Sequence, residues 1–215
     1  VAEHALGLMI ALAKDFLGHA SALKNGRWVR RTGHELMGKT LGILGLGRIG
    51  QEVVRRAAAF GMRCVAYSPR WPEGFALEHG VKRAADAGEV LRVADIVSLH
   101  LPLTEATRGL IDARALASMK RGAYLINTAR GGLIDESDVA AACSSGQLGG
   151  YAADVLDEEP IRADHPFLGI DSILLTPHIG SRTFESVERQ AVRAVTNLTE
   201  FLGGGTDFIQ ANSWS

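Results

Sequence analysis

Four side chains suited to anion binding or proton transfer follow short apolar runs in the second half of the chain: Arg130, Asp154, Glu159 and His178. Arg130 comes after Ala123-Tyr124-Leu125-Ile126-Asn127, Asp154 after Tyr151-Ala152-Ala153 with Glu159 beyond it, and His178 after Leu175-Thr176-Pro177. A planar guanidinium matches a carboxylate through two parallel bonds, and an imidazole exchanges a proton near neutral pH. If the apolar runs are strands of one open sheet, all four residues lie where ligands bind in such sheets, at the carboxyl ends of the strands. Taken singly, each would pass for a surface residue; their order and spacing together carry the reading.

Upstream, Gly45-Leu46-Gly47-Arg48-Ile49-Gly50 lies between an apolar run with strand character, Thr40-Leu41-Gly42-Ile43-Leu44, and a helical pattern with Ile49, Val53, Val54, Ala57 and Phe60 on one face. In that context Gly45 makes a tight turn, Gly47 admits a pyrophosphate and Gly50 lets helix and strand pack closely. The unpaired N–H groups and positive dipole end of the helix face the anion. This predicts a dinucleotide site. At the end of the next strand a NAD site normally offers a carboxylate to the ribose hydroxyls; here stand Ser68 and, two residues on, Arg70. A hydroxyl and a guanidinium suit a 2′-phosphate, which moves the expected cofactor from NAD towards NADP. A solvated Arg70 would leave either cofactor acceptable.

These segments resemble the D-isomer-specific 2-hydroxyacid dehydrogenases, a family that includes phosphoglycerate dehydrogenases and glyoxylate and hydroxypyruvate reductases. The resemblance covers nearly the whole chain, through Val1-Ala2-Glu3, Trp28 after Gly26-Arg27, Glu35-Leu36 with Gly38-Lys39-Thr40, and His100-Leu101-Pro102-Leu103-Thr104. It implies an oxidoreductase that moves a hydride between NAD(P)H and a small 2-oxo acid or D-2-hydroxy acid. Arg130, Glu159 and His178 fall on the family's catalytic set: His178 as acid/base, Glu159 as its partner, Arg130 for the substrate carboxylate and carbonyl. Asp154 falls where the family meets the nicotinamide carboxamide. The cofactor lining implied is Gly45, Gly47, Arg48, Ile49, Gly50, Ser68, Arg70, Leu101, Pro102, Thr107, Thr128, Ala129, Arg130, Asp154, His178, Gly180 and Ser181. A homodimer is the family-level expectation. The alternative is an NAD(H)-sensing, corepressor-like binding protein on the same scaffold.

The elements that must position these residues alternate along the chain. Ala5, Leu8, Met9, Leu12 and Phe16 recur at helical spacing, which predicts one amphipathic helix over Ala2 to Leu23. Strand-like runs follow at 62–67, 96–99, 123–127, 151–155 and 173–176, with helical patterns between most of them. Runs apolar on both faces predict a doubly wound α/β fold with a parallel sheet (Rossmann). The expected organisation is an NAD(P)-binding domain over 1–181 and a C-terminal helix and tail over 182–215 that return towards a substrate domain. Most of that domain is expected to be missing, since family members normally begin with a further segment.

The composition, 47% hydrophobic and 22% charged with a net charge of −1, fits a soluble globular chain with no field favouring nucleic acid or an anionic membrane. The apolar stretch from Ala5 to Ala13 is too short to span a bilayer. Cys64 and Cys143 read as reduced thiols, which predicts a cytoplasmic protein. His4, His34, His79, His100 and His165 lack metal-ligand spacing and are read as structural or surface residues, with no metal expected.

Overall fold

The structure is a computed structural model and describes residues 1–206. The chain forms two units, residues 1–180 and 181–215.

The first unit is built on a seven-stranded sheet. Its strands are β1 (Thr40–Leu44), β2 (Arg63–Tyr67), β3 (Lys82–Arg83), β4 (Ile96–Leu99), β5 (Ala123–Asn127), β6 (Leu148–Ala153) and β7 (Ile173–Leu175). They lie in the order β3-β2-β1-β4-β5-β6-β7, and every pairing is parallel. The helices α1 (Ala2–Ala13), α2 (Phe16–Lys24), α3 (Arg48–Ala59), α4 (Glu73–Glu78), α5 (Ala87–Val93), α6 (Ala113–Ser118) and α7 (Glu136–Ser144) connect or flank these strands.

Successive residues of a strand point to opposite faces, so a sheet covered on both sides needs apolar side chains at consecutive positions. Leu41 and Ile43 of β1 join one core cluster with Leu6 and Met9 of α1 and Val53 and Ala57 of α3. Leu44, Val97, Leu125 and Tyr151 face the other, with Val90 of α5, Leu116 of α6 and Val139 of α7. This is the doubly wound arrangement expected from the sequence. The strand order reverses between β1 and β4, and such a switch point is where open α/β sheets bind ligands.

Four local expectations need correction, one being the strand read over 151–155, which runs over Leu148–Ala153. The helix predicted over Ala2 to Leu23 breaks at Lys14 and Asp15 into α1 and α2. Asp15 takes a left-handed backbone with φ 49°, accepts the N–H of Gly18 as the N-cap of α2 and pairs with Arg31. Capping by a short acidic side chain therefore wins over continued helical periodicity. In consequence Phe16, placed on the buried stripe by spacing, is 55% exposed. The short edge strand β3, made of two exposed charged residues, is absent from the sequence-based assignment. The strand predicted over 173–176 ends at Leu175, since Thr176 already bonds into the site described below.

The second unit contains α8 (Phe184–Leu202), capped by the Thr183 hydroxyl, which accepts the N–H of Ser186. Among the described residues no single helix is long and apolar enough to cross a membrane.

Candidate active site

The phosphate loop begins where β1 stops. Gly45 has φ 102°, a conformation glycine adopts without strain, and a Cβ there would come within 2.6 Å of the His100 carbonyl. A Cβ on Gly50 would lie 2.3 Å from the Gly45 oxygen, so the entry of α3 is pressed against the loop. Gly47 differs: nothing lies within 4 Å of its would-be Cβ, and it caps α3 without a side-chain bond. Two glycines close the turn and the third leaves a cradle beside the first-turn N–H groups of Arg48 and Ile49. That arrangement fits a pyrophosphate.

Around the loop, Ser68 is half-buried after β2 and Arg70 is exposed, with no ion pair to Arg70 among the described residues. His100 bonds its N–H to the Leu44 carbonyl at 2.7 Å and its ring to Ser98 at 2.9 Å. Burial pushes the His100 imidazole down to about 4, so it is neutral at pH 7. Leu101 is buried and Pro102 exposed. Thr107 donates to the Pro102 carbonyl at 2.7 Å and accepts from the N–H of Thr104, which folds residues 102–107 into a compact turn.

Arg130 sits on the turn after β5. Asn127, fully buried, shapes that turn: its Oδ1 accepts the N–H of Ala129 at 3.0 Å and its Nδ2 donates to the carbonyl of Arg130 at 2.9 Å. The Arg130 guanidinium is exposed and donates to the Ala129 carbonyl. Thr128 keeps a buried hydroxyl with no partner among the described residues.

Past β6 and β7 the remaining site residues converge on one cavity of about 550 Å³, walled by Asp154, Leu156, Glu159, Pro160, Pro177 and His178 among others. His178 Nδ1 lies 2.9 Å from Glu159 Oε2, and Glu159 Oε1 accepts the N–H of Leu156 at 3.1 Å. Partial burial pushes the Glu159 carboxyl up. The bonds from His178 and Leu156 outweigh that and hold it below the usual glutamate range. The pair is therefore set up with a charged acceptor on the Nδ1 side, which leaves Nε2 as the ring nitrogen available for proton exchange.

The backbone of His178 is itself unusual, with φ 54° in a residue that has a Cβ. Asp154, 3% exposed, holds the segment around it. Its Oδ1 accepts the Thr176 hydroxyl at 2.6 Å and the N–H of Ile179 at 2.9 Å, and its Oδ2 accepts the N–H of Gly180 at 2.6 Å. From α1, His4 Nε2 reaches the Thr176 hydroxyl at 2.8 Å and Asp154 at 3.3 Å. A charged acceptor with three donors fixes residues 176–180 on both sides of His178. His4 and Asn127 are absent from the sequence-derived site because their partners lie far along the chain or on the backbone. Ser181 opens the second unit.

With this geometry in view, the comparisons with known proteins are specific. Residues 6–180 match the family described as D-isomer specific 2-hydroxyacid dehydrogenase, NAD binding domain. The chain belongs to this family. It is 42% identical over 206 residues to a D-3-phosphoglycerate dehydrogenase of Methanocaldococcus jannaschii, covering 95% of this chain and 39% of that protein. It is 40% identical over 208 residues to a hydroxypyruvate reductase of Thermotoga maritima, covering 94% of this chain and 66% of the relative. Among solved structures, a D-lactate dehydrogenase from Aquifex aeolicus, complexed with NAD and lactic acid, superimposes with a TM-score of 0.86 at 30% identity. That match covers 94% of this chain and 66% of the other. The chain thus spans between about two fifths and two thirds of these relatives' length.

Proposed function

We propose that the protein reduces a small 2-oxo acid to a D-2-hydroxy acid, or the reverse, with NAD(H) or NADP(H). The observation that carries the reading is the His178–Glu159 pair at 2.9 Å on the wall of the 550 Å³ cavity, in a unit that also carries a phosphate loop shaped for a dinucleotide. The cofactor, when bound, supplies or takes up the hydride. Residues 45–50 hold its pyrophosphate through backbone N–H groups, with Leu101, Pro102, Thr107, Thr128, Ala129 and Gly180 completing the lining within the first unit. Asp154 Oδ2, which among the described residues accepts the N–H of Gly180 alone, keeps acceptor capacity for a carboxamide.

His178 Nε2 gives its proton to the substrate oxygen as negative charge develops there, and retrieves it in the reverse direction. Glu159 fixes the ring and stabilises the imidazolium. Arg130 binds the substrate carboxylate, for which its fork is suited, and polarises the neighbouring carbonyl. The alternative of a sensing protein without turnover has no observation in its favour.

Three finer readings accompany this one. Ser68 and Arg70 favour NADP, since no carboxylate stands there to repel a 2′-phosphate. The exposed Phe16, Leu17, Leu23 and Trp28 favour a homodimer, and two free thiols favour the cytoplasm. We also place the cofactor domain at 1–181. For residues 182–215 the reading is a return towards a substrate domain; it is supported over α8 by the exposed Val187, Val192, Val195 and Leu198, while 207–215 lie outside the described residues.

The test is oxidation of NADH and NADPH with glyoxylate, hydroxypyruvate, pyruvate and a phosphorylated 2-oxo acid. Turnover with at least one acid is expected, with NADPH favoured. Ser68→Asp should move the cofactor ratio towards NADH by about tenfold, the equivalent of one lost charge-assisted contact. No turnover with any acid contradicts the function. Equal affinities for the two cofactors in both proteins contradict the NADP preference alone.

A further inference from the structure

Glu136 is the first residue of α7, but the cap of that helix is Asp135, whose carboxylate accepts the N–H of Asp138 at 2.9 Å. The Glu136 side chain is only 18% exposed and turns to the segment after β6. Its Oε1 accepts the N–H of Asp157 at 3.0 Å, and its Oε2 lies 3.0 Å from His165 Nε2. The His165 side chain is 6% exposed, and its Nδ1 accepts the N–H of Phe167 at 3.3 Å. With Nδ1 an acceptor, the neutral ring carries its proton on Nε2 and donates it to Glu136. The rings of His165 and Phe167 pack at 4.9 Å, and Phe167 packs on the fully buried Tyr151 at 5.3 Å.

Residues 157 and 165 flank Glu159 on either side. One carboxylate thus ties together both ends of the segment that presents the partner of His178. The same segment is pressed from the Arg130 turn: a Cβ on Gly131 would lie 1.9 Å from the carbonyl carbon of Leu156 and 2.1 Å from the nitrogen of Asp157. The Leu156–Asp157 peptide is therefore gripped by Gly131 and by Glu136, while the N–H of Leu156 donates to Glu159. A short connected path runs from Glu136 through this peptide to Glu159 and His178, and Arg130 stands one residue from its contact at Gly131.

We propose that Glu136, with His165 as its second anchor, is a positioning residue for the reaction. It closes residues 157–165 into a fixed ring that sets Glu159 against His178 and in register with Arg130. The reaction rests on the proposed function above; the ring does not. A half-ångström precision of this kind governs turnover more than binding, because cofactor affinity comes from the phosphate loop on other elements.

The experiment uses Glu136→Gln and His165→Gln in the protein. A carboxamide has one oxygen and one NH₂, so the substituted side chain at position 136 cannot accept from Asp157 and His165 through separate oxygens, and one end of the ring is released. The expected result is kcat lower by about 10- to 100-fold, with NAD(H) affinity within about twofold. The Glu159 carboxyl, followed by carbon NMR, should titrate higher, towards the ordinary glutamate range, as its bonds to Leu156 and His178 loosen. Unchanged kcat together with an unchanged Glu159 titration in either folded variant overturns the proposal. Loss of folding in both variants assigns the pair to stability alone and overturns it as well. If the wild-type protein turns over no 2-oxo acid, the proposed function fails, while the Glu159 titration still decides whether the ring positions that residue.

Discussion

His178 pays for its place with a left-handed backbone, a conformation that costs a residue with a Cβ about 1–3 kcal/mol. Asp154 provides the offset, since three donors on one nearly buried carboxylate fix Thr176, Ile179 and Gly180 around the strained residue. Asp154→Asn replaces one acceptor oxygen by a donor NH₂ and sets it against either Gly180 N–H or the Thr176–Ile179 pair. Urea denaturation should show the variant destabilised by about 1–3 kcal/mol, the range for an unsatisfied buried donor. Wild-type stability would refute the anchoring role. Asp154, Glu159 and His178, which wall one cavity, were candidates in the sequence because polar residues follow apolar runs there. His4, Asn127, Glu136 and His165 were not. The His4–Thr176 contact spans 172 positions and Glu136–His165 spans 29, and no local pattern encodes a contact between elements brought together only by the sheet order.

At the scale of elements, the strand, loop and helix around residues 40–59 divide their work between shape and binding. A Cβ on Gly50 would meet the Gly45 carbonyl, whereas a Cβ on Gly47 would meet nothing within 4 Å, so on the proposed function Gly47 serves the ligand; this separates two substitutions of identical chemistry. Gly50→Ala should destabilise the fold by about 1–3 kcal/mol through overpacking. Gly47→Ala should leave the melting temperature nearly unchanged and weaken NAD(H) binding, read by fluorescence titration. Comparable melting losses in both would show that Gly47 is structural.

The end of β4 carries a second prediction. His100 has its pKa lowered by burial from 6.5 to about 4, so between these values the unfolded chain binds a proton that the folded chain refuses. Stability contributed by the neutral ring is complete above about pH 7 and falls by roughly 1–3 kcal/mol as pH drops towards 4. His100→Gln should flatten that part of the curve in urea unfolding at about pH 7.5 and about pH 5, on either side of the ordinary histidine pKa, whereas an unchanged slope would rule the histidine out as its source. The parallel sheet was readable from consecutive apolar positions. The α1–α2 break was not, because Asp15 looks like any exposed helical residue until its own carboxylate caps the next helix. Nor was β3, because Lys82 and Arg83 form no apolar run.

At the scale of the whole molecule, the sheet order explains why residues so distant in sequence meet. The order reverses between β1 and β4, β5 and β6 carry Arg130 and Asp154 after their carboxyl ends, and the segments flanking β7 bring Glu159 and His178 together. On the proposed function, the pyrophosphate is held by the loop after β1 and the proton by His178 after β7, so a substitution at the histidine should separate turnover from most of the cofactor affinity. The most direct measurement is steady-state NAD(P)H oxidation by the protein and its His178→Ala variant with an accepted 2-oxo acid, alongside NAD(P)H binding to each. The account predicts turnover reduced by about 10²- to 10⁴-fold, the range for a lost general acid, with cofactor affinity retained. Turnover that survives the substitution would contradict it.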